Sequence, residues 1–241
     1  MELKLTEIKK LEGKITLKSG LHIGSGNTEM HIGGTDSPVI KHPHTLRPYI
    51  PGSSLKGKVR SLLEMESGLM VYTKGDVVSG KTLKLKEVNG ALKDKCTALL
   101  KVFGASADDS SEAIGPTRAS FADCYLDSEW LKTVQDNRWS LTEEKSENVI
   151  NRIKGTAENP RFIERVPEGA VFNFLITFKV LAEDDKGLFE SVLLRGLKLL
   201  EMDALGGSGS RGYGRIKIAF NDEGINGMFE ELMPFNQGGG S

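Results

Sequence analysis

The order of apolar patterns along the chain predicts an α+β protein built on an antiparallel sheet. Val171–Val180 alternates apolar and polar side chains, which is the pattern of a half-buried strand. Two leucine-rich segments, 53–66 and 187–202, have the apolar spacing of helices that pack on a core. Three further strand patterns cover residues 14–23, 117–126 and 215–220. The resulting order, β-α-β-β-α-β with long inserted loops, is ferredoxin-like and is shared with RNA-recognition (RRM) domains.

The first half of this order contains one strand, one long loop and one helix. Ile15, Leu17, Leu21 and Ile23 alternate loosely, which predicts a first strand or hairpin. The stretch that follows, 24–54, is rich in Gly, Pro, Ser and His, and loops of this length are usually functional. A serine N-cap at Ser53 and Ser54 is expected to start the helix, which should end near Glu66.

Long insertions separate the remaining elements. Residues 67–118 show no clear period, and the lysine-rich stretch 81–95 alternates only weakly. Residues 141–165 are mostly polar, and Asn159-Pro160 predicts a turn there. The last residues, 236–241, read NQGGGS and are expected to form a flexible tail or linker outside the fold.

Composition indicates an ordinary soluble protein with a sizeable core. The chain has 241 residues, of which 38% are hydrophobic and 27% charged. No apolar run is long enough to predict a membrane span, and the N-terminus lacks the apolar stretch of a signal peptide. Two cysteines, Cys96 and Cys124, have no metal-binding spacing and are expected to be reduced thiols in the cytoplasm.

The net charge does not predict a nucleic-acid-binding protein, but the distribution of charge leaves room for one. The formal net charge is −1. Residues 1–101 nevertheless hold 17 Lys and Arg against 10 Asp and Glu. This basic half could form one binding face, or the asymmetry could be ordinary solvated surface.

The segment 33–60 combines several features of a phosphate-binding site. Gly33 and Gly34 allow a tight turn close to a ligand, and Asp36 follows directly. The helix that starts after Pro51-Gly52 offers free backbone N–H groups and a favourable dipole to phosphate. Lys56 and Arg60 lie one turn apart on this helix. The same residues are also compatible with a solvated helix face and a routine cap.

A second glycine-rich segment lies between the second helix and the last strand. Residues 206–215 read GGSGSRGYGR, and such a loop can cradle backbone phosphates. It matches neither the Walker nor the Rossmann fingerprint. A flexible connector remains the alternative interpretation.

Taken together, these segments resemble the RAMP superfamily of CRISPR proteins. The loop GGSGSRGYGRIKI, 206–218, is similar to the C-terminal signature of that superfamily. Three other segments resemble the backbone subunits of type III-A (Csm) effector complexes. They are GGTDSPVIKHPHTLRPYIPGSSLKGKVRSLLE (33–64), GPTRASFADCYL (115–126) and ENVINRIKGTAENPRFIERVPEGAVFNF (147–174).

The resemblance implies a single RAMP domain, residues 1–235, whose sheet core forms a palm. A projecting β-hairpin, the thumb, is implied for the insertion at about 141–167. Subunits of this family stack head to tail along a CRISPR RNA, together with other subunits of the complex. They cut complementary target RNA at regular intervals, one site per subunit. Asp36 matches the catalytic position, and the implied RNA-binding residues are His22, Ser53, Ser54, Lys56, Arg60, Gly207, Ser208, Ser210 and Arg211.

The implied chemistry is plausible for a single carboxylate. RNA supplies its own nucleophile, the 2′-hydroxyl beside the scissile phosphate, and a displaced nucleotide can reach in-line geometry. Asp36 would accept the proton or hold a loosely bound Mg²⁺ or another divalent cation. Without the resemblance, an Asx-turn role for Asp36 is the simpler interpretation. His42 and His44 are better suited to packing or RNA stacking than to catalysis or a shared metal.

Three alternative functions are consistent with these sequence features. The first is a metal-dependent endoribonuclease subunit that works within a guide-loaded complex. The second is a non-catalytic RNA-binding scaffold, against which Asp36 argues. The third is a small-molecule or nucleotide-binding ferredoxin-like enzyme, which the missing phosphate-binding fingerprint disfavours.

Overall fold

The computed structural model describes residues 4–26, 36–105, 114–181 and 185–235. Gly33, Gly34 and the expected tail at 236–241 lie outside these ranges. The strands are β1 Glu7–Leu17, β2 Ala119–Phe121, β3 Tyr125–Leu126, β4 Glu143–Ile150, β5 Ala157–Arg165, β6 Val171–Val180 and β7 Ile216–Phe220. The helices are α1 Gly52–Glu66, α2 Met70–Thr73, α3 Gly80–Leu83, α4 Gly90–Phe103, α5 Ser128–Asp136, α6 Asp185–Leu188, α7 Arg195–Met202 and α8 Glu223–Glu231.

The main sheet is antiparallel and has the ferredoxin-like strand order. Its order is β2-β6-β1-β7, and β3 pairs with β6 beside β2. The long central pair runs from Glu7 opposite Val180 to Thr16 opposite Val171. The alternation expected for β6 is confirmed, because Phe172, Phe174, Ile176, Phe178 and Val180 are all buried. The predicted α+β, ferredoxin-like class is therefore confirmed.

Helices α1 and α7 pack antiparallel against each other. Gly196 of α7 permits the close approach, because a Cβ there would lie 2.6 Å from Val59 Cγ1. Lys58, in the middle of α1, pairs with Asp203, just after α7, at 2.7 Å, and Glu66, at the end of α1, pairs with Arg195, at the start of α7. The start of α1 and the glycine-rich loop after α7 are therefore at the same end of the helical layer.

Two predictions about the start of the fold are wrong. The first strand ends at Leu17 and begins at Glu7, because backbone pairing with β6 continues through the charged residues that obscured the pattern. Helix α1 begins at Gly52, and its N-cap residue is Pro51, which makes no side-chain capping hydrogen bond. The backbone N–H of Gly52 donates instead to Asp123 Oδ1 at 2.8 Å. Ser53 and Ser54 thus lie within the first turn rather than at the N-cap.

The central insertions are more regular than their sequence indicates. Residues 67–118 include α2, α3 and α4, and the predicted strand at 117–126 is divided into β2 and β3. The second predicted helix begins at Asp185 and contains a π-helical stretch, Phe189–Leu194. Helices α5 and α8 were not predicted. No helix in the described ranges is both long and apolar enough to cross a bilayer.

The polar insertion after α5 forms an antiparallel hairpin, β4–β5, within residues 141–167. The turn predicted at Asn159-Pro160 is wrong, because both residues lie inside β5. Asn159 has a left-handed φ of 52°, at a register irregularity opposite Glu147–Val149. The hairpin turn is at 151–156, and its Ile153 side chain is 97% exposed.

Candidate nucleic-acid interface

An extended segment that starts at Asp36 lies between Ile23, which follows β1 in the chain, and strand β5 of the hairpin. Ser37 forms a parallel bridge with Ile163 of β5, and the N–H of Glu164 donates to Ser37 O at 3.1 Å. On the other side, Ile40 N donates to Ile23 O at 2.8 Å. Backbone hydrogen bonds on both sides thus fix the path of this segment.

Asp36 presents its carboxylate at the surface next to the hairpin. The residue is exposed, and its Oδ2 accepts a hydrogen bond of 2.9 Å from the backbone N–H of Phe162. Phe162 lies in β5, and 46% of the residue is exposed. One edge of the carboxylate is thereby oriented by the hairpin, while an exposed carboxylate retains further acceptor capacity for a substrate proton or a cation.

Glu164 joins this segment to the base of the hairpin. Its buried carboxylate accepts from the backbone N–H of Val39 at 2.9 Å and from Lys41 Nζ at 2.6 Å. Burial alone would raise the pKa of Glu164, but hydrogen bonds from Lys41, Val39 and Thr142 lower it below its ordinary value. Glu164 is therefore held ionised at neutral pH.

His22 and the glycine-rich loop meet at the same place. His22 Nδ1 is 2.6 Å from the backbone oxygen of Glu164, and its own carbonyl accepts from Gly207 N–H at 2.9 Å. Gly206 has a φ of 75°, and a Cβ there would lie 2.4 Å from His22 O. Glycine is needed for this close approach. The structure thus brings together His22, Gly207 and the hairpin that orients Asp36.

The rest of the glycine-rich loop is tied to strand β4. Arg211 Nε lies 3.0 Å from Glu147 Oε2, and the hydroxyl of Tyr213 donates to Glu147 Oε1 at 2.8 Å. Burial, followed by the hydrogen bond to Glu147, raises the pKa of Tyr213. Ser210 is exposed, and Ser208 is half-buried with a φ of 63°. The Arg211 guanidinium, which the sequence predicts to bind phosphate, thus pairs with the Glu147 carboxylate in this structure.

The cations of α1 have different environments. Lys56 is half-buried, and its pKa is lowered by burial and by the nearby charge of Arg60. Arg60 has internal partners: Glu64 at 2.7 Å, the carbonyl of Gly104 at 3.1 Å and the carbonyl of Val78. Guide contacts by Lys56, Arg60, Ser53 and Ser54 stay predictions. The contacts of Arg60 give it a structural role as well.

The acidic residues that organise this surface were not singled out from sequence. Glu164 and Glu147 lie in the hairpin segment, and Asp123 follows β2. Each acts through the tertiary pairing of distant segments. The one sequence signal that could have found them was their position inside the segments that carried the family resemblance.

The fold and the site together define the class of the protein. It has a ferredoxin-like palm, an inserted hairpin with an exposed aspartate beside it, and a glycine-rich loop. The RAMP superfamily profile matches residues 14–217. The chain belongs to the RAMP superfamily and, within it, to the Csm3 family. The resemblance inferred from sequence is confirmed.

Two relatives and one solved structure support this assignment. The "CRISPR system Cms endoribonuclease Csm3" of Methanothermobacter thermautotrophicus is 41% identical over 86% of this chain and 82% of its own. The protein of that name from Methanocaldococcus jannaschii is 43% identical over 86% of this chain and 77% of its own. A chain of the "Csm3-Csm4 subcomplex in the type III-A CRISPR-Cas interference complex" is 31% identical, with a TM-score of 0.54, over 90% of this chain and 78% of that one.

Proposed function

We propose that this protein is an RNA-binding backbone subunit of a type III-A CRISPR effector complex and that it cleaves target RNA. Its relatives carry the name endoribonuclease, and a related structure is described as part of a type III-A complex. The observation that carries the proposal is the exposed Asp36 carboxylate, held against the hairpin by Phe162 N–H at 2.9 Å. A capping role alone would use this carboxylate for its own loop, whereas here it faces solvent beside a projecting hairpin.

The position of Asp36 supports the proposed catalytic role. In the proposal, the exposed apolar tip of the hairpin displaces a target nucleotide, which frees its 2′-hydroxyl for in-line attack. Val149, Ile150 and Ile153 supply this apolar surface. Asp36 is the acceptor for the 2′-hydroxyl proton, and its orientation is set by the same strand that supports the hairpin.

The guide backbone would lie along the surface formed by His22, the glycine-rich loop and the start of α1. Arg211 and Lys56 provide positive charge there, and the exposed loop from Gly207 to Ser210 allows close approach of phosphates. These contacts are to phosphate and sugar, so they bind any guide sequence. Neighbouring copies, stacked head to tail with other subunits, would continue the surface, since heterologous contacts generate a filament.

A divalent cation fits this site only as a weakly held ion. Within the described ranges, no three His, Cys, Asp or Glu side chains are grouped to hold a metal. Mg²⁺ commonly binds to one or two carboxylates, water and substrate phosphates, a donor set that Asp36 and RNA can provide together. When bound there, Mg²⁺ would supply charge stabilisation at the scissile phosphate.

The test is cleavage of complementary RNA by the reconstituted, guide-loaded complex that carries Asp36→Asn. Asparagine keeps an oxygen for the Phe162 N–H bond, so the loop should keep its position. We expect the cleavage rate to fall by on the order of 10²- to 10⁴-fold, the contribution of a general base, while target binding is unchanged. Asp76→Asn, at another exposed aspartate, is the matched control. Cleavage at the wild-type rate would leave Asp36 with only a loop-capping role.

A further inference from the structure

A cluster of aromatic and imidazole rings lies on the surface between the Asp36 segment and α1, and the functions assigned above do not use it. We call it the Tyr125 patch: His42, His44, Tyr49 and Tyr125. The rings of Tyr49 and Tyr125 stack with centroids 5.9 Å apart, and His42 meets the edge of Tyr125 at 6.0 Å. Tyr125 is 50% exposed. A tyrosine ring that packs on its neighbours yet stays half exposed offers a stacking surface.

Backbone pairing and local hydrogen bonds hold the patch in place. The backbones of Lys41 and Pro48 form an antiparallel β-bridge. Within this turn, His42 Nδ1 accepts from the backbone N–H groups of His44 and Thr45 at 3.3 and 3.4 Å. The bridge between Ile50 and Cys124 then places Tyr49 beside Tyr125. A ligand that stacks here therefore costs little side-chain ordering.

The charge around the patch favours a polyanion. Between Asp36 and Glu64 the chain has no acidic residue and carries five cations. Lys41, Lys58 and Arg60 already pair with carboxylates, so within the described part of the chain Arg47 and Lys56 are the two of these cations left to meet a polyanion. Arg47 is exposed, and none of the described side chains pairs with its guanidinium.

The acidic residues next to Tyr125 are already engaged. Asp123 accepts from Gly52 N–H at 2.8 Å, and Asp127 caps α5 and lies 3.3 Å from Lys14 Nζ. Their charge is therefore partly compensated, and the surface beside the rings stays favourable to phosphate.

We propose that the Tyr125 patch binds an unpaired nucleobase of an RNA strand by stacking on Tyr125, with Arg47 on an adjacent phosphate. The inference rests on the proposed RNA-binding function and adds a contact outside the glycine-rich loop. The extended segment 36–41 separates the patch from Asp36 by at most roughly 20 Å along the chain, at ~3.3 Å per residue. A short single strand passing Asp36 can therefore reach the patch.

Stacking is tested with the full-length chain and two probes, a fluorescent oligoadenylate of about 12 nucleotides and a blunt RNA duplex of equal length. Tyr125→Leu removes the aromatic ring but keeps an apolar side chain. We expect this change to weaken oligoadenylate binding roughly 5- to 100-fold, which corresponds to one stacked base, and to leave duplex binding unaltered. Tyr125→Phe should restore the affinity, and Tyr72→Leu, at an exposed tyrosine of α2, is the matched control.

The outcomes separate this inference from the function on which it rests. If the wild-type chain binds neither probe, the RNA-binding function itself fails. If the wild type binds oligoadenylate and Tyr125→Leu binds it equally well, only the stacking site is overturned. Equal RNA affinity with lost self-association in sedimentation would show instead that the patch contacts a neighbouring protein.

Discussion

The Asp36 carboxylate and the Phe162 backbone N–H are joined by a hydrogen bond of 2.9 Å, although 126 residues separate them in the chain. This bond fixes the side chain proposed for catalysis to the hairpin proposed to displace the target. The adjacent backbone bridge between Ser37 and Ile163 holds the same two segments together. A movement of the hairpin base would therefore move Asp36 with it.

The different environments of Lys56 and Arg60 lead to a prediction about two variants. Arg60→Ala leaves the Glu64 carboxylate, which is buried, without its 2.7 Å partner, so the free energy of unfolding should fall by about 1–3 kcal/mol. Lys56→Ala should not lower it, because burial and Arg60 already disfavour the charged amine. Urea unfolding measures both. Equal stability of the two variants would contradict the structural role of Arg60.

RNA binding by the same Lys56→Ala variant should show a smaller salt dependence. The loss of one phosphate contact reduces the slope of log affinity against log salt by about 0.7–0.9. Filter binding at several salt concentrations provides the slope. A slope that equals the wild-type value would place Lys56 away from the RNA.

The contact of Glu147 with Arg211 predicts competition with phosphate. Glu147→Gln removes the carboxylate that lies 3.0 Å from Arg211 Nε, so the guanidinium becomes available to RNA. An exposed ion pair contributes at most about 1 kcal/mol, so affinity at low salt should rise up to about fivefold. Glu144→Gln, on an exposed neighbour in β4, is the control. Weaker binding by Glu147→Gln would mean that the carboxylate orders the loop for RNA instead of competing with it.

Glu164 predicts a stability that depends on acid pH. Its pKa is lower in the folded state than the ordinary value of 4.5, so its ionised contacts stabilise the fold at pH values above 4.5. As the pH falls through the lowered pKa, the folded protein takes up the proton and this contribution is lost. The stability difference between wild type and Glu164→Gln should therefore shrink below about pH 4.5. A difference that stays constant from pH 7 to about pH 3 would refute the ionised pairing with Lys41.

The proposed Mg²⁺ requirement separates catalysis from binding. Removal of divalent ions with EDTA should abolish cleavage by the reconstituted complex, and Mg²⁺ should restore it. Target binding should persist, because basic side chains and base pairing hold the RNA. Full cleavage in EDTA would leave Asp36 to act as a proton acceptor without a metal.

The sequence by itself determined the fold class and gave the candidate site residues. The alternation at Val171–Val180 and the leucine spacing of two helices record burial on one face, which is a local property of a strand or helix. Asp36 and the glycine-rich loop could be named as candidates because they lie in short segments with a family resemblance.

Tertiary structure decided how these parts are held. The N-cap expected from Ser53 is replaced by Asp123, and the turn expected at Asn159 is a bulge inside β5. Glu164, Glu147 and the N–H of Phe162 act on residues far away in sequence. Local patterns report which face of an element is buried, but which distant donor meets which acceptor depends on chain packing, so only the folded structure fixes it.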